Sequence, residues 1–453
     1  MKRDIRRQVL TAPGLVGNGK FRTYVSNMPR VVARNAISRS SFVSDEPYIL
    51  ITADTHAGGG HAAYREYLDP KYRDQFDEWR GGYRNPETKH YHNVKKLRNW
   101  DYDIRTEEQD SQGVVGEVIF PNTVPPFWDK PLVMPPNAVK PENYELYQAG
   151  IDAHNRWLAD FCAEDPVRRA GIGVILPNDL ERAEKDIETF AKMGLRGGVL
   201  LPLIAPDAHW LKPLYDPAWD RVYAAIQDHD MVMNQHTGAG IADHGPSLVG
   251  QALWMSEVRW AAQTGMRYLL LSGVFERFPK LKYIITESGC RWAGELLADL
   301  DRIDGSIKAG VTGEIKYSGD WVLKRKPSEY ARDCIFYGAS FPSKADLDGI
   351  DAVGEDNVLW GNDYPHYEGT FPHNLKSLRM TFNDMSEERR RKVLGLNAAK
   401  LYKFDLEEVT KRAAKVGPRP SDVNQPLPFD EIPTDSYCYL FTDALRDRKK
   451  EVA

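Results

Sequence analysis

The sequence predicts an α/β fold, a (β/α)8 TIM barrel carrying additions at both ends, and three observations lead to it. First, eight short apolar runs recur along the chain: Tyr48–Asp54, Val114–Pro121, Ala170–Pro177, Gly197–Pro202, Met231–His236, Lys282–Ser288, Cys334–Ser340 and Val358–Asp363. Most are continuous rather than alternating, the pattern of strands covered on both faces. Second, helix-like stretches separate them, including Asn143–Cys162, Asp179–Met193, Pro217–His229 and Leu248–Gln263. Strands alternating with helices call for a parallel sheet, and eight units are enough to close it. Third, no G-x-G-x-x-G follows the first strand, which disfavours a doubly wound open sheet.

Three stretches fall outside the repeat. Residues 1–46 carry little hydrophobic periodicity and are expected to form an arm over the barrel or over a partner subunit. Within the barrel region, 47–403, the segment 58–105 is long, charged and rich in Tyr, Phe and Trp. An insertion there follows the first strand and so sits at the catalytic mouth, as a lid, a pocket wall or a packed surface excursion. Residues 404–453 form an extension that is Pro-punctuated over Gly417–Pro433 and then aromatic at Tyr437-Cys-Tyr-Leu-Phe441. Two long arms point to an oligomer, of identical chains or with a homologous subunit.

Composition narrows the function classes. A net charge of -5 over 453 residues leaves no polybasic field for nucleic acid. No run approaches the roughly 20 apolar residues of a membrane span, and the basic opening Met1–Arg7 lacks the apolar core of a secretory signal. Cys162, Cys290, Cys334 and Cys438 lie far apart and form no C-x-x-C pair, which suits a reduced, cytoplasmic protein. The partner expected is a small-molecule substrate.

Metal-ligand residue types fall at the ends of different strands. Asp54 and His56 stand two apart at the end of the first run, facing the same way in an extended chain. Three glycines follow, a chain able to turn back and bring His61 toward the same ion or a second one. His236 closes the fifth run, Glu287 the sixth and Asp363 the eighth, with His366 three residues beyond. Imidazoles mixed with carboxylates suit zinc, manganese or iron. A carboxylate ending an apolar run is costly to bury alone, so Glu287 needs a metal or an arginine such as Arg291. Asp363 can both ligate metal and accept a proton from bound water. His90 and His92, in the charged insertion, read as surface residues. No G-x-S-x-G elbow or P-loop is present.

The order Asp-x-His, strand-five His, strand-six ligand position and strand-eight Asp resembles the amidohydrolase superfamily. More narrowly it resembles the branch containing aminocarboxymuconate-semialdehyde and dihydroxybenzoate decarboxylases. Further matches are Gly273-Val-Phe-Glu-Arg-Phe-Pro-Lys-Leu281, Asn362-Asp-Tyr-Pro-His366 and Gly395-Leu-Asn-Ala-Ala-Lys-Leu-Tyr402. Two departures stand out: Glu287 where those decarboxylases carry a His, and the additional His61. Asp-x-His-Ala-Gly with Glu-Ser-Gly is similar to a smaller branch of the superfamily, barrels holding a dinuclear iron or manganese–iron centre that activates O2. That resemblance implies an O2-dependent hydroxylase, with Asp54, His56, His61, His236, Glu287, Asp363 and His366 as ligands to two ions, and Asp363 and Glu287 as catalytic groups. The alternatives are a hydrolase of an amide, ester or thioester, using zinc, and a decarboxylase of an aromatic or muconate acid. For a decarboxylase, Arg105, Arg196 and Arg291 are the candidate carboxylate clamps.

Overall fold

Strands apolar on both faces must be flanked by strands within a sheet and by helices outside it, and the chain meets both requirements. The computed structural model describes residues 45–84, 96–129 and 138–452. The expected arm, apart from Asp45 and Glu46, lies outside the described residues, as do His90 and His92. Eight parallel strands follow in chain order: β1 (Leu50–Ala57), β2 (Val114–Pro121), β3 (Arg169–Val174), β4 (Gly198–Leu200), β5 (Val232–His236), β6 (Lys282–Thr286), β7 (Ile335–Ser340) and β8 (Val358–Gly361). Each pairs with the next in sequence. The ends of the sheet meet where His56 N donates to Tyr364 O (2.7 Å) and Asp363 N donates to Asp54 O (3.0 Å). The result is the expected (β/α)8 barrel.

Strand ends differ from the predicted ones for local reasons. β1 runs on to Ala57, because bonds to Tyr364 and to β2 keep the chain extended past its apolar run. Asp54 and His56 therefore lie within the strand. β4 stops at Leu200, before Pro202, which has no N–H to give a ladder. Of the helices, α1 (His61–Tyr67) and α2 (Arg73–Gly82) belong to the insertion and α3 (Tyr102–Ser111) ends it. α4 (Tyr144–Ala163), α5 (Leu180–Met193), α6 (Asp220–Asp228) and α7 (Leu248–Leu271) cover the next strands. α5 shows how sequence sets such boundaries: the Asp179 carboxylate accepts from the N–H groups of Glu181 and Arg182, and Gly194 ends the helix at φ 77°. None of the helices in the described residues is long and apolar enough to cross a membrane.

Both additions pack on the barrel. In the insertion, Leu68, Tyr72 and Phe76 bury against Phe127, Ala149 and Ala153. At the strand starts, Tyr48 N donates to Pro418 O (2.8 Å), while Phe404, Val409 and Ala413 join the core cluster that includes Val115 and Ile51. Farther along, Ile432, Cys438 and Phe441 cluster with Phe341, the residue that follows β7. The extension thus runs from the base of the barrel to its mouth.

Candidate metal centre

β1, β5 and the turn after β8 bring Asp54, His56, His236 and Asp363 to one point at the C-terminal mouth. His56 Nε2 lies 3.3 Å from Asp54 Oδ1 and 3.2 Å from Asp363 Oδ1, and His236 Nε2 lies 3.5 Å from Asp54 Oδ1. The rings of His56 and His236 meet edge to face, 5.0 Å between centroids, with Phe120 packed on both. Their outer nitrogens are occupied: Nδ1 of His56 faces the Pro121 carbonyl (3.4 Å) and Nδ1 of His236 the Thr237 carbonyl (2.9 Å). With Nδ1 as donor to these carbonyls, each Nε2 would offer its lone pair to the cluster. The Ser340 hydroxyl donates to Asp54 Oδ2, orienting that carboxylate.

The donor set passes a direct test for a cation. Asp54 Oδ1, His56 Nε2, His236 Nε2 and Asp363 Oδ2 are buried without a hydrogen-bond partner; Asp54, His56 and His236 form one group of potential ligands, and His56, Asp363 and His366 a second. Buried polar atoms are rarely left in this state, and a divalent ion satisfies donors of this kind. Two nitrogens and carboxylate oxygens suit manganese or zinc.

Burial alone would raise the carboxyl groups of Asp54 and Asp363. The facing imidazoles outweigh it, and both are held below the usual carboxylate range. Glu287 goes the other way: burial, with the carboxylates of Asp363 and Asp54 nearby, pushes its carboxyl well above that range. Asp363 and Glu287 both sit in the left-handed region, at φ 56° and 60°, an uncommon conformation outside glycine that turns each side chain sharply at a strand end.

The other expected ligands lie around this point. His366 forms a second three-residue group with His56 and Asp363. Its ring stacks on His56 (4.0 Å), with Nδ1 2.9 Å from Asp363 Oδ1 and Nε2 3.2 Å from Asn122 Oδ1. Burial disfavours charge on His366, but the Asp363 carboxylate outweighs it and lifts the pKa to about 9. Glu287 belongs to neither group; its Oε2 is 3.8 Å from His236 Nδ1. His61 opens α1, its Nε2 2.9 Å from the Val124 carbonyl and its ring against Trp79 and Tyr83. Among the clamp candidates, Arg105 is bound to Glu117 and to the His56 carbonyl, and Arg196 to the carbonyls of Pro166 and Val167, while Arg291 is exposed.

Sequence reading passed over Ser340, Phe120 and Asn122 as neighbours of this site, and named Arg105 as a carboxylate clamp where it instead holds Glu117 and the His56 carbonyl. Ser340 ends β7 and Phe120 lies near the end of β2, so strand-end position was their signal. Ser, Phe and Asn are too common at strand ends for residue type alone to single them out.

A parallel barrel with buried imidazoles and carboxylates at its C-terminal mouth defines a metal-dependent enzyme. The amidohydrolase family model matches residues 130–404, and the chain belongs to that family. No curated protein matches the sequence. Among solved structures, 5-carboxyvanillate decarboxylase from Sphingomonas paucimobilis is similar at 22% identity and a TM-score of 0.55, over 79% of this chain and 99% of that one. An amidohydrolase from Mycobacterium avium subsp. paratuberculosis gives 20% identity and a TM-score of 0.59, over 78% and 99%. A dihydroxybenzoic acid decarboxylase from Polaromonas sp., with bound manganese and 2-nitroresorcinol, gives 18% and 0.55, over 80% and 99%.

These findings overturn the expectation of an O2-dependent hydroxylase with a dinuclear iron or manganese–iron centre. Two of the three named neighbours are decarboxylases, of 5-carboxyvanillate and of dihydroxybenzoic acid, the latter with bound manganese, and the third is an amidohydrolase. The two candidate ligand groups, Asp54–His56–His236 and His56–Asp363–His366, share His56, and neither includes His61 or Glu287.

Proposed function

We propose that the chain is a metal-dependent decarboxylase of a small carboxylic acid, with one divalent ion held by Asp54, His56, His236 and Asp363. The observation that carries this reading is the set of four buried donor atoms without hydrogen bonds at the barrel mouth, on residues of two potential ligand groups that share His56. Similarity to decarboxylases favours this reaction over hydrolysis. A bound divalent ion supplies positive charge that stabilises negative charge developing on the substrate.

The chain's own groups handle the proton. As the bond to the departing carboxylate breaks, its electron pair stays on the substrate carbon, CO2 leaves, and a proton replaces it. Glu287 is the group suited to deliver that proton: burial and the nearby Asp363 and Asp54 carboxylates favour its protonated form, and it lies beside His236. Its side chain is 21% exposed, so solvent can restore the proton. His366, paired with Asp363, keeps that carboxylate ionised and turned toward the other donors. With Arg105 and Arg196 engaged elsewhere, the positive charge facing a substrate carboxylate would come from an ion held by Asp54, His56, His236 and Asp363.

The test is an anaerobic assay of manganese-loaded protein against a panel of hydroxybenzoates, following CO2 release. CO2 formation without O2 supports the proposal. Ester or amide cleavage without CO2 release would transfer the site to hydrolysis.

A further inference from the structure

Two turns at the donor cluster are backed by chain from outside the barrel. Ser340, whose hydroxyl orients Asp54, is followed by Phe341 at φ 38°, a left-handed conformation rarely taken by a bulky side chain. Such a residue keeps that conformation only where its surroundings hold it. Phe341 N donates to Gly361 O (3.0 Å) on the barrel side. On the other side its ring packs with Ile432, Cys438 and Phe441 of the C-terminal extension and meets the Tyr439 ring at 6.3 Å. The turn after β8 is backed by the same segment. Tyr367, next in sequence to His366, meets the Tyr437 ring edge to face at 5.9 Å. His373 ends that turn; its Nε2 lies 3.4 Å from Asp435 Oδ1, and its ring meets Phe441 edge to face at 6.1 Å. Cys438 and Phe441 are fully buried, so the segment is anchored. It lies beyond the residues that the family model matches.

We propose that Asp435–Phe441 is a positioning element of the metal centre, contributed by the C-terminal extension. It holds the turn at Ser340–Phe341 and the turn over Asp363–His373 in one arrangement. The first orients Asp54, and the second carries Asp363 and His366. The segment acts through these residues and gives no ligand itself. The inference rests on the proposed ion for what is positioned. Docking of the segment and binding of the ion favour the same placement of Asp54 and Asp363, so each strengthens the other by a common factor.

The test measures that reciprocity on the full chain with manganese. Tyr437 and Tyr439 are 55% and 50% exposed, so Tyr437→Ala with Tyr439→Ala should leave the metal-free melting temperature almost unchanged. Manganese affinity, titrated by calorimetry, should fall at least ~fivefold in this variant. Tyr437→Phe with Tyr439→Phe, which keeps both ring contacts, should restore it. In the wild-type chain, saturating manganese should slow amide hydrogen exchange over 438–445 by at least as large a factor. Exchange over Leu406–Val416, packed at the base of the barrel, should not change. An affinity untouched by the Ala substitutions, or exchange over 438–445 untouched by manganese, would overturn the inference. Equal slowing over Leu406–Val416 would reduce the effect to overall stabilisation and overturn it as well. A wild-type chain that binds no manganese would instead remove the metal reading on which the inference stands.

Discussion

Asp363 and Glu287 have the same unusual backbone conformation and opposite electrostatics, and the proposed division of labour rests on that contrast. Asparagine tolerates the left-handed region, so Asp363→Asn should fold normally while losing bound metal and activity together. Elemental analysis beside a thermal melt checks this, and a variant that retains full metal and activity would remove Asp363 from the ligand set. Glu287→Gln keeps shape and hydrogen-bonding capacity but carries no proton to give. It should retain its metal while turnover falls by about 10²–10⁴-fold. Equal loss of metal in this variant would instead make Glu287 a ligand.

At the scale of elements, closure of β1 on β8 builds the centre, and a glycine allows it. A Cβ on Gly361 would lie 2.7 Å from Asp54 Cβ and 3.0 Å from Ser340 Oγ. Gly361→Ala should therefore push Asp54 out of line and weaken manganese binding by ~10–100-fold, as read by metal titration. Packing of the insertion on α4 has its own pH signature. His154 of α4 is fully buried beside the Tyr64 hydroxyl (2.8 Å) of α1, and burial lowers its pKa from 6.5 to about 4. The unfolded chain then binds the proton more tightly than the folded one. This contribution is complete above pH 6.5 and is lost as pH falls toward 4. Between pH 7.5 and 5 the loss amounts to about 2 kcal/mol. Urea unfolding at the two pH values should show it, and His154→Phe should remove that part of the difference.

For the whole molecule the central number is the metal count. The proposed centre holds one ion per chain, with Asp54, His56, His236 and Asp363 as its ligands, where the resemblance to dinuclear barrels implied two. Manganese at ~100 times its dissociation constant should add about 2.7 kcal/mol to unfolding free energy, and chelation should reverse it. Two ions per chain by elemental analysis would refute the one-ion centre. The insertion and the C-terminal extension are both packed on the barrel.

Hydrophobic pattern was enough to determine the barrel, because continuous apolar runs separated by helical ones have few ways to be buried. The eight strands appear in the predicted order, and their ends shift only where a proline or a tertiary hydrogen bond intervenes. Residue type at strand ends also singled out Asp54, His56, His236 and Asp363, which the fold brings near one another, since the mouth of a parallel barrel gathers strand ends wherever they lie in the chain. Direction and distance were not legible. His61 stands near the ligands in sequence, yet in the fold it meets the Val124 carbonyl and the Trp79 ring. Glu287 ends its strand as expected, but its side chain lies outside the donor groups. Ligation depends on where each atom points to within fractions of an ångström, and only closure of the sheet, with the turns at Glu287 and Asp363, settles that.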